Sequence, residues 1–135
     1  MPTIPINWLA ILLAAVIRMA VGTAWYSPAL FVKPWQALSG VTPASMKAGM
    51  GRAIFIDAVM SLLMAFVFYY VLHTAPEIDI VRGVLLGVFI WIGFVLATSL
   101  PLWAYENRPL KLIAINAGHN LVALVLMGAL LGAWH

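Results

Sequence analysis

The chain has 135 residues, 65% of them hydrophobic and only 8% charged, with a formal net charge of +3 and no cysteine. A soluble domain carries about 25% charged residues, and a chain this short cannot bury so much apolar surface in a water-soluble core, so lipid is the expected cover for much of it. The basic residues are scattered beside apolar runs, which argues against a nucleic-acid partner and for topology signals. The missing thiols exclude disulfides and thiolate metal sites.

A bilayer-spanning helix needs about 20 mostly apolar residues, and four segments supply them. The first runs from Ile6 to Tyr26 and is closed by Ser27-Pro28. It reads as a retained helix rather than a cleaved signal, because no Lys or Arg precedes Trp8, Arg18 interrupts the run, and no cleavage site follows. The long connection from Ser27 to Arg52 holds Pro34, Gly40, Pro43 and Gly51. One short helical turn is expected after Pro34 and another with Thr42 as N-cap and Pro43 in first position. Trp35, Leu38, Met46 and Met50 should lay this loop on the membrane surface. The second span runs from Ala53 to His73, before Pro76. The third runs from Gly83 to Trp103, with Pro101 expected to bend its last turn. The fourth covers Leu112 to Trp134. The runs lack the alternation of barrel strands, and lipid demands internally bonded backbone, so helices are the expected form. Short remaining connections make neighbouring helices antiparallel. The expected fold is therefore an all-α, integral membrane four-helix bundle, one domain over residues 1–135, with a surface-lying first loop.

Charge predicts orientation. The first and third loops carry Lys33, Lys47, Arg52, Arg108 and Lys111, whereas the other side carries only Arg82, beside Glu77 and Asp79. The positive-inside rule places the first and third loops in the cytoplasm and both termini outside. Trp8 and Trp134 then fall at the outer interface, and Trp25, Tyr26, Trp103 and Tyr105 at the inner one. Trp25-Tyr26-Ser27-Pro28 is echoed by Trp103-Ala104-Tyr105 before Pro109; interfacial aromatics ahead of a helix breaker account for that without a duplication.

Polar side chains inside the spans gather at one depth. A charge at mid-bilayer costs about 2.5–3.5 kcal/mol on insertion scales. Arg18 lies roughly 12 Å from the inner end of the first span, Asp57 roughly 6 Å into the second, and Asn116, His119 and Asn120 roughly 6–12 Å into the fourth. Thr98 and Ser99 fall in the same band, and the outer half is nearly all apolar. Asn116, His119 and Asn120 are spaced three and four apart, so they share a face that lipid would penalise and that should point into the bundle. Arg18 is long enough to reach Asp57, which predicts an ion pair with the helix-four amides nearby. Two readings stand. The layer is structural glue that fixes helix register, or it lines a pocket open to the cytoplasm with a titratable His119.

Other patterns carry less. Met60/Met64 and Met46/Met50 have i,i+4 spacing that packing explains without copper. His73, Glu77, Asp79 and His135 share the outer side but lack fixed ligand spacing, so neither a metal nor another cofactor is expected. Gly118, Gly128 and Gly132 suit close helix contact. No metalloprotease helix, nucleophile elbow or phosphate-binding loop occurs, and nothing singles out Ser99 and His119 as nucleophile and base, so an enzyme is not expected.

Ile6-Asn7-Trp8-Leu9, Trp25-Tyr26-Ser27-Pro28 with Leu30-Phe31 and Lys33, and Arg108-Pro109-Leu110-Lys111 leading into Ile115-Asn116-Ala117-Gly118 resemble the bacterial membrane proteins grouped as domain of unknown function 1761. The resemblance covers nearly the whole chain; the Trp-Tyr-Ser-Pro stretch and the helix-four stretch are its most specific parts. It implies a four-span protein of the bacterial inner membrane and no particular activity. Arg18 and Asp57 stand where the resemblance leads one to expect hydrophobic residues, so a function common to such proteins would rest on Asn116 and the Trp25–Pro28 stretch. The leading expectation is a small-solute transporter or binding protein, with Asn116, His119 and Asn120 contacting the ligand, Arg18 and Asp57 setting the charge, and Trp25 and Tyr26 beside them. The expected partners are membrane lipid and further copies of the chain. The alternative is a non-transporting interaction or assembly protein.

Overall fold

The computed structural model describes residues 3–135, and among them it is all-helical: α1 (Trp8–Trp25), α2 (Val32–Ser39), α3 (Pro43–Leu72), α4 (Ile80–Ile90), a π-helical turn (Trp91–Leu96), α5 (Ala97–Glu106) and α6 (Leu110–Ala133). α4, the π turn and α5 form one continuous helix, so four helices are long and apolar enough to cross a membrane.

Local chemistry sets the boundaries. Asn7 caps α1 through its side-chain oxygen, which accepts the Ala10 N–H at 3.1 Å. Asp79 caps α4 in the same way, accepting from the Arg82 N–H at 2.8 Å. Each satisfies one of the orphan donors of a helix start. α2 begins before Pro34, whose missing N–H costs nothing in the first turn, and it stops at Gly40, where φ is 76°.

Two elements depart from the sequence reading. The turn expected at Thr42-Pro43 is not separate from the second span; it opens a single 30-residue helix with a reciprocal Thr42–Ser45 capping box. Gly49 and Gly51 do not interrupt it, since a glycine costs about 1 kcal/mol in a helix interior and the box with Pro43 at its start offsets part of that. In the third span the irregularity lies not at Pro101, which α5 accommodates, but at the π turn. There the Thr98 hydroxyl donates to the carbonyls of Phe94 and Val95. The π turn inserts one extra residue and rotates the remainder of the helix by about 100°. α4 buries Gly83 and Gly87 before it, while α5 buries no residue after it.

The core joins Ala10, Ile11, Ala14 and Ala15 of α1, Ala65, Phe68, Tyr69 and Leu72 of α3, and Leu124, Met127 and Leu131 of α6. α6 is the central post, packed mainly by α4 on one side and α1 on the other, with α3 reached through α1. Glycines let α4 touch α6 backbone to backbone. A Cβ on Gly83 would collide with the Gly128 carbonyl, one on Gly132 with the Asp79 carbonyl, and one on Gly87 would lie 2.6 Å from the Leu124 oxygen. At the start of α1, the Tyr69 hydroxyl accepts from the Asn7 N–H and donates to the Pro5 carbonyl, both at 3.1 Å.

Gly128→Leu should therefore prise α4 from α6 and lower stability by roughly 1–3 kcal/mol or more. Gly51→Ala, whose Cβ meets nothing within 4 Å, should hold or raise it. Thermal unfolding of the two variants in detergent measures the difference.

Candidate functional site

Three helices bring polar groups together near the ends of α1 and α6. On α1 the i,i+4 spacing of Arg18, Gly22 and Tyr26 makes one face. Asp57 and Ser61 do the same on α3, and Asn116 and His119 on α6. The expected ion pair is present: Arg18 Nη1 donates to Asp57 Oδ1 at 2.6 Å and to Ser61 Oγ at 2.8 Å. Ser61 is fully buried. The Arg18 side chain is 14% exposed and that of Asp57 47%, so one partner is desolvated while the other still meets its surroundings. The desolvation cost of the pair falls mainly on Arg18, and removing Asp57 strands that charge.

His119 is buried against α1. Its fit depends on Gly22, where a Cβ would lie 3.2 Å from Nε2. The Tyr26 hydroxyl donates to Asn116 Oδ1 at 2.6 Å. Its ring meets Trp35 of α2 edge-on at 5.2 Å and lies 5.5 Å from the His119 ring. A cavity of about 570 Å³ is lined by Gly22, Tyr26, Trp35, Asp57, Asn116 and His119 among others. A second, of about 620 Å³, lies across Trp35 and Asp57 and takes in Arg18, Arg52 and Met60. Arg18 Nε and His119 Nε2 are buried with no hydrogen-bond partner among the described residues. A buried polar nitrogen without a partner is costly, and these two belong to residues that line the cavities. The arrangement offers a half-open carboxylate, an imidazole nitrogen and an amide.

Arg18, Asp57, Tyr26, Asn116 and His119 thus converge. Trp25 and Asn120 line neither cavity. The Trp25 indole N–H donates to the Ile115 carbonyl at 2.9 Å, and its ring packs on Gly118 and Phe31. Asn120 turns its amide onto the Asn116 carbonyl of its own helix at 3.1 Å. The sequence reading passed over Gly22, Trp35 and Ser61 as site residues. Ser61 was accessible through its i+4 spacing from Asp57, and Gly22 through its i+4 spacing from Arg18. Trp91 was missed as well; its indole N–H donates to the Ala117 carbonyl at 2.7 Å and pins the π turn to α6. On the opposite side of the molecule His73 stacks on Tyr69 at 3.9 Å and meets His135 edge-on at 5.7 Å. Among the described residues no three metal-ligating side chains come together.

These features define a small all-helical chain with four bilayer-length helices and a polar cluster near one end of them. The family described as "Protein of unknown function (DUF1761)" matches residues 9–132, and the chain belongs to it. No curated protein and no solved structure matches the chain.

The pair can be tested by a double-mutant cycle. Asp57→Ala should destabilise the bundle by leaving Arg18 unpaired, and adding Arg18→Ala should recover much of the loss, with a coupling of roughly 0.5–3 kcal/mol. Strictly additive losses in thermal unfolding would show that the contact does not form.

Proposed function

We propose that the chain is an integral protein of the bacterial inner membrane that binds, or carries, a small polar solute in the Tyr26–Asn116–His119 cavity, entered from the cytoplasm. The observation that carries this reading is the pair of unpartnered nitrogens, Arg18 Nε and His119 Nε2, on residues lining adjoining cavities. A ligand with both donor and acceptor groups would satisfy them together with Asn116 and the open side of Asp57.

Topology supports the setting. Along α1 and α3, Asn7 meets Tyr69 and Arg18 meets Ser61 and Asp57. Along α4 and α6, Asp79 meets Gly132 and Gly87 meets Leu124. The reversed order in each pair is what an antiparallel four-helix bundle requires. Lys33, Lys47, Arg52, Arg108 and Lys111 fall at the end that holds the cavities, which favours the cytoplasmic side for that end and the outside for both termini. A bundle this small encloses little volume, so the proposed working form is a homo-oligomer, whose copies would complete a pathway.

A second reading has its own support. Arg18 already bonds both Asp57 and Ser61, and Tyr26 already bonds Asn116, as polar glue between helices would. Native mass spectrometry of protein extracted gently from membranes separates the two. Solute binding predicts a small-molecule adduct on the parent that disappears in Asn116→Ala and His119→Ala while the helical content is retained. If those variants only lose stability, and the parent shows neither adduct nor flux in proteoliposomes, the cluster is structural.

A further inference from the structure

One face of α3 carries a second, differently built site. Arg52, Ile56, Met60, Met64 and Val67 follow one another at spacings of four, four, four and three, so they form one stripe along the helix. Its first part lines the cavity of about 620 Å³ that contains Arg52. Its last part lines a cleft of about 370 Å³ whose other wall is Ile90, Phe94 and Val95, at and around the π turn. Met60 belongs to both, so the two spaces adjoin. The charged end and the apolar end are therefore parts of one elongated groove.

The ends differ in chemistry. Asp57 faces Arg18, Glu77 faces Arg82 and Glu106 faces Arg108. Arg52 has no acidic partner among the described residues, and neither do Lys33, Lys47 or Lys111 at the same end of the molecule. With Asp57 neutralised by Arg18, the head of the groove keeps the positive charge of Arg52. The far end is walled by side chains of Met, Val, Phe, Leu and Ile alone. Arg52 lies about 22 Å along the helix from Val67, against about 15 Å for one leaflet of a hydrocarbon core about 30 Å thick. The groove thus has a cation at headgroup level and an apolar slot that reaches the middle of the bilayer.

We propose that this groove holds an anionic phospholipid, its phosphate on the Arg52 guanidinium and one acyl chain laid past Ile56 and Met60 into the cleft beside the π turn. Arg presents a planar fork that matches a phosphate with two parallel hydrogen bonds. The proposal needs the bilayer setting but not the solute reading, and its test leaves Asp57, Asn116 and His119 untouched.

The chain has no cysteine, so a single one can be placed and labelled. Val67→Cys carrying bimane, in phosphatidylcholine nanodiscs, reports a nitroxide on the acyl chain of a small fraction of added lipid. Nitroxide-labelled phosphatidylglycerol should quench it as though enriched about fivefold over equally labelled phosphatidylcholine, the preference one basic residue gives for anionic lipid. Arg52→Gln should bring that ratio to one without changing helical content, and Phe89→Cys on α4, which is 70% exposed and outside the cleft, should show no preference. Val95→Cys repeats the measurement from the opposite wall should the first variant fold poorly. Equal quenching by the two lipids, a preference that survives Arg52→Gln, or one as strong at Phe89 overturns the proposal. So does a disulfide-linked dimer through Val67→Cys with no quenching, which would mean that a second copy fills the cleft.

Discussion

The backbone of α6 is touched from two sides, and the arrangement of the other helices depends on that contact. On one side Gly83 and Gly87 bring the α4 backbone into direct contact with the backbone of α6. On the other, the Trp25 indole donates to the Ile115 carbonyl, and Gly22 gives His119 room against α1. Trp91 adds a second indole bond, to the Ala117 carbonyl. Two apolar helices in lipid gain little from hydrophobic burial against each other, so close van der Waals approach and interhelical hydrogen bonds have to supply the attraction. Small residues provide the first here and tryptophans the second. α3 is held differently, by side-chain hydrogen bonds at two points: Arg18 of α1 bonds Asp57 near its middle, and its own Tyr69 hydroxyl accepts from the Asn7 N–H near its close.

That division shapes the polar cluster. Arg18 belongs to a helix fixed on α6, whereas Asp57 and Ser61 belong to the helix held chiefly by side chains. The ion pair is thus both a packing bond and the boundary between the two cavities. A charge at this depth is tolerated because the half-open Asp57 carboxylate and the buried Ser61 hydroxyl share the work of solvating it. Asn116 and His119 meet the same boundary from α6, and Trp35 covers it from α2.

Much of this was legible in the sequence, and the reasons can be given residue by residue. Spans one and four fall within a few residues of α1 and α6, because proline and capping residues bracket long apolar runs. The Arg18–Asp57 pair followed from depth and reach alone. The inward face of Asn116 and His119 followed from their spacing, since lipid penalises that face whatever the partners are. Trp25 read as an interfacial anchor because aromatic residues at helix ends usually are; whether an indole turns toward lipid or toward a neighbouring carbonyl is decided by the partner helix. Asn120 lies on the correct face but satisfies itself on its own backbone, an option open to any short amide. The π turn has no composition of its own, and Pro101 drew attention to the wrong turn of that helix. The continuity of α3 through Gly49 and Gly51 was hidden because two glycines and a proline in ten residues resemble a loop.

That continuity has a mechanical side. From Thr42 to Tyr69 α3 is an unbroken rod about 40 Å long, braced by the Asn7–Tyr69 contact at one end and ending beside Trp35 at the other. A rod converts a small rotation into a large displacement: pivoting by about 5° near Tyr69 carries the Thr42 tip sideways by about 3–4 Å. The leverage is greatest at Ser45, Lys47 and Arg52, smaller at Asp57 and least at the core residues Phe68 and Leu72, so the charged end of the rod is the part that a slight tilt moves furthest.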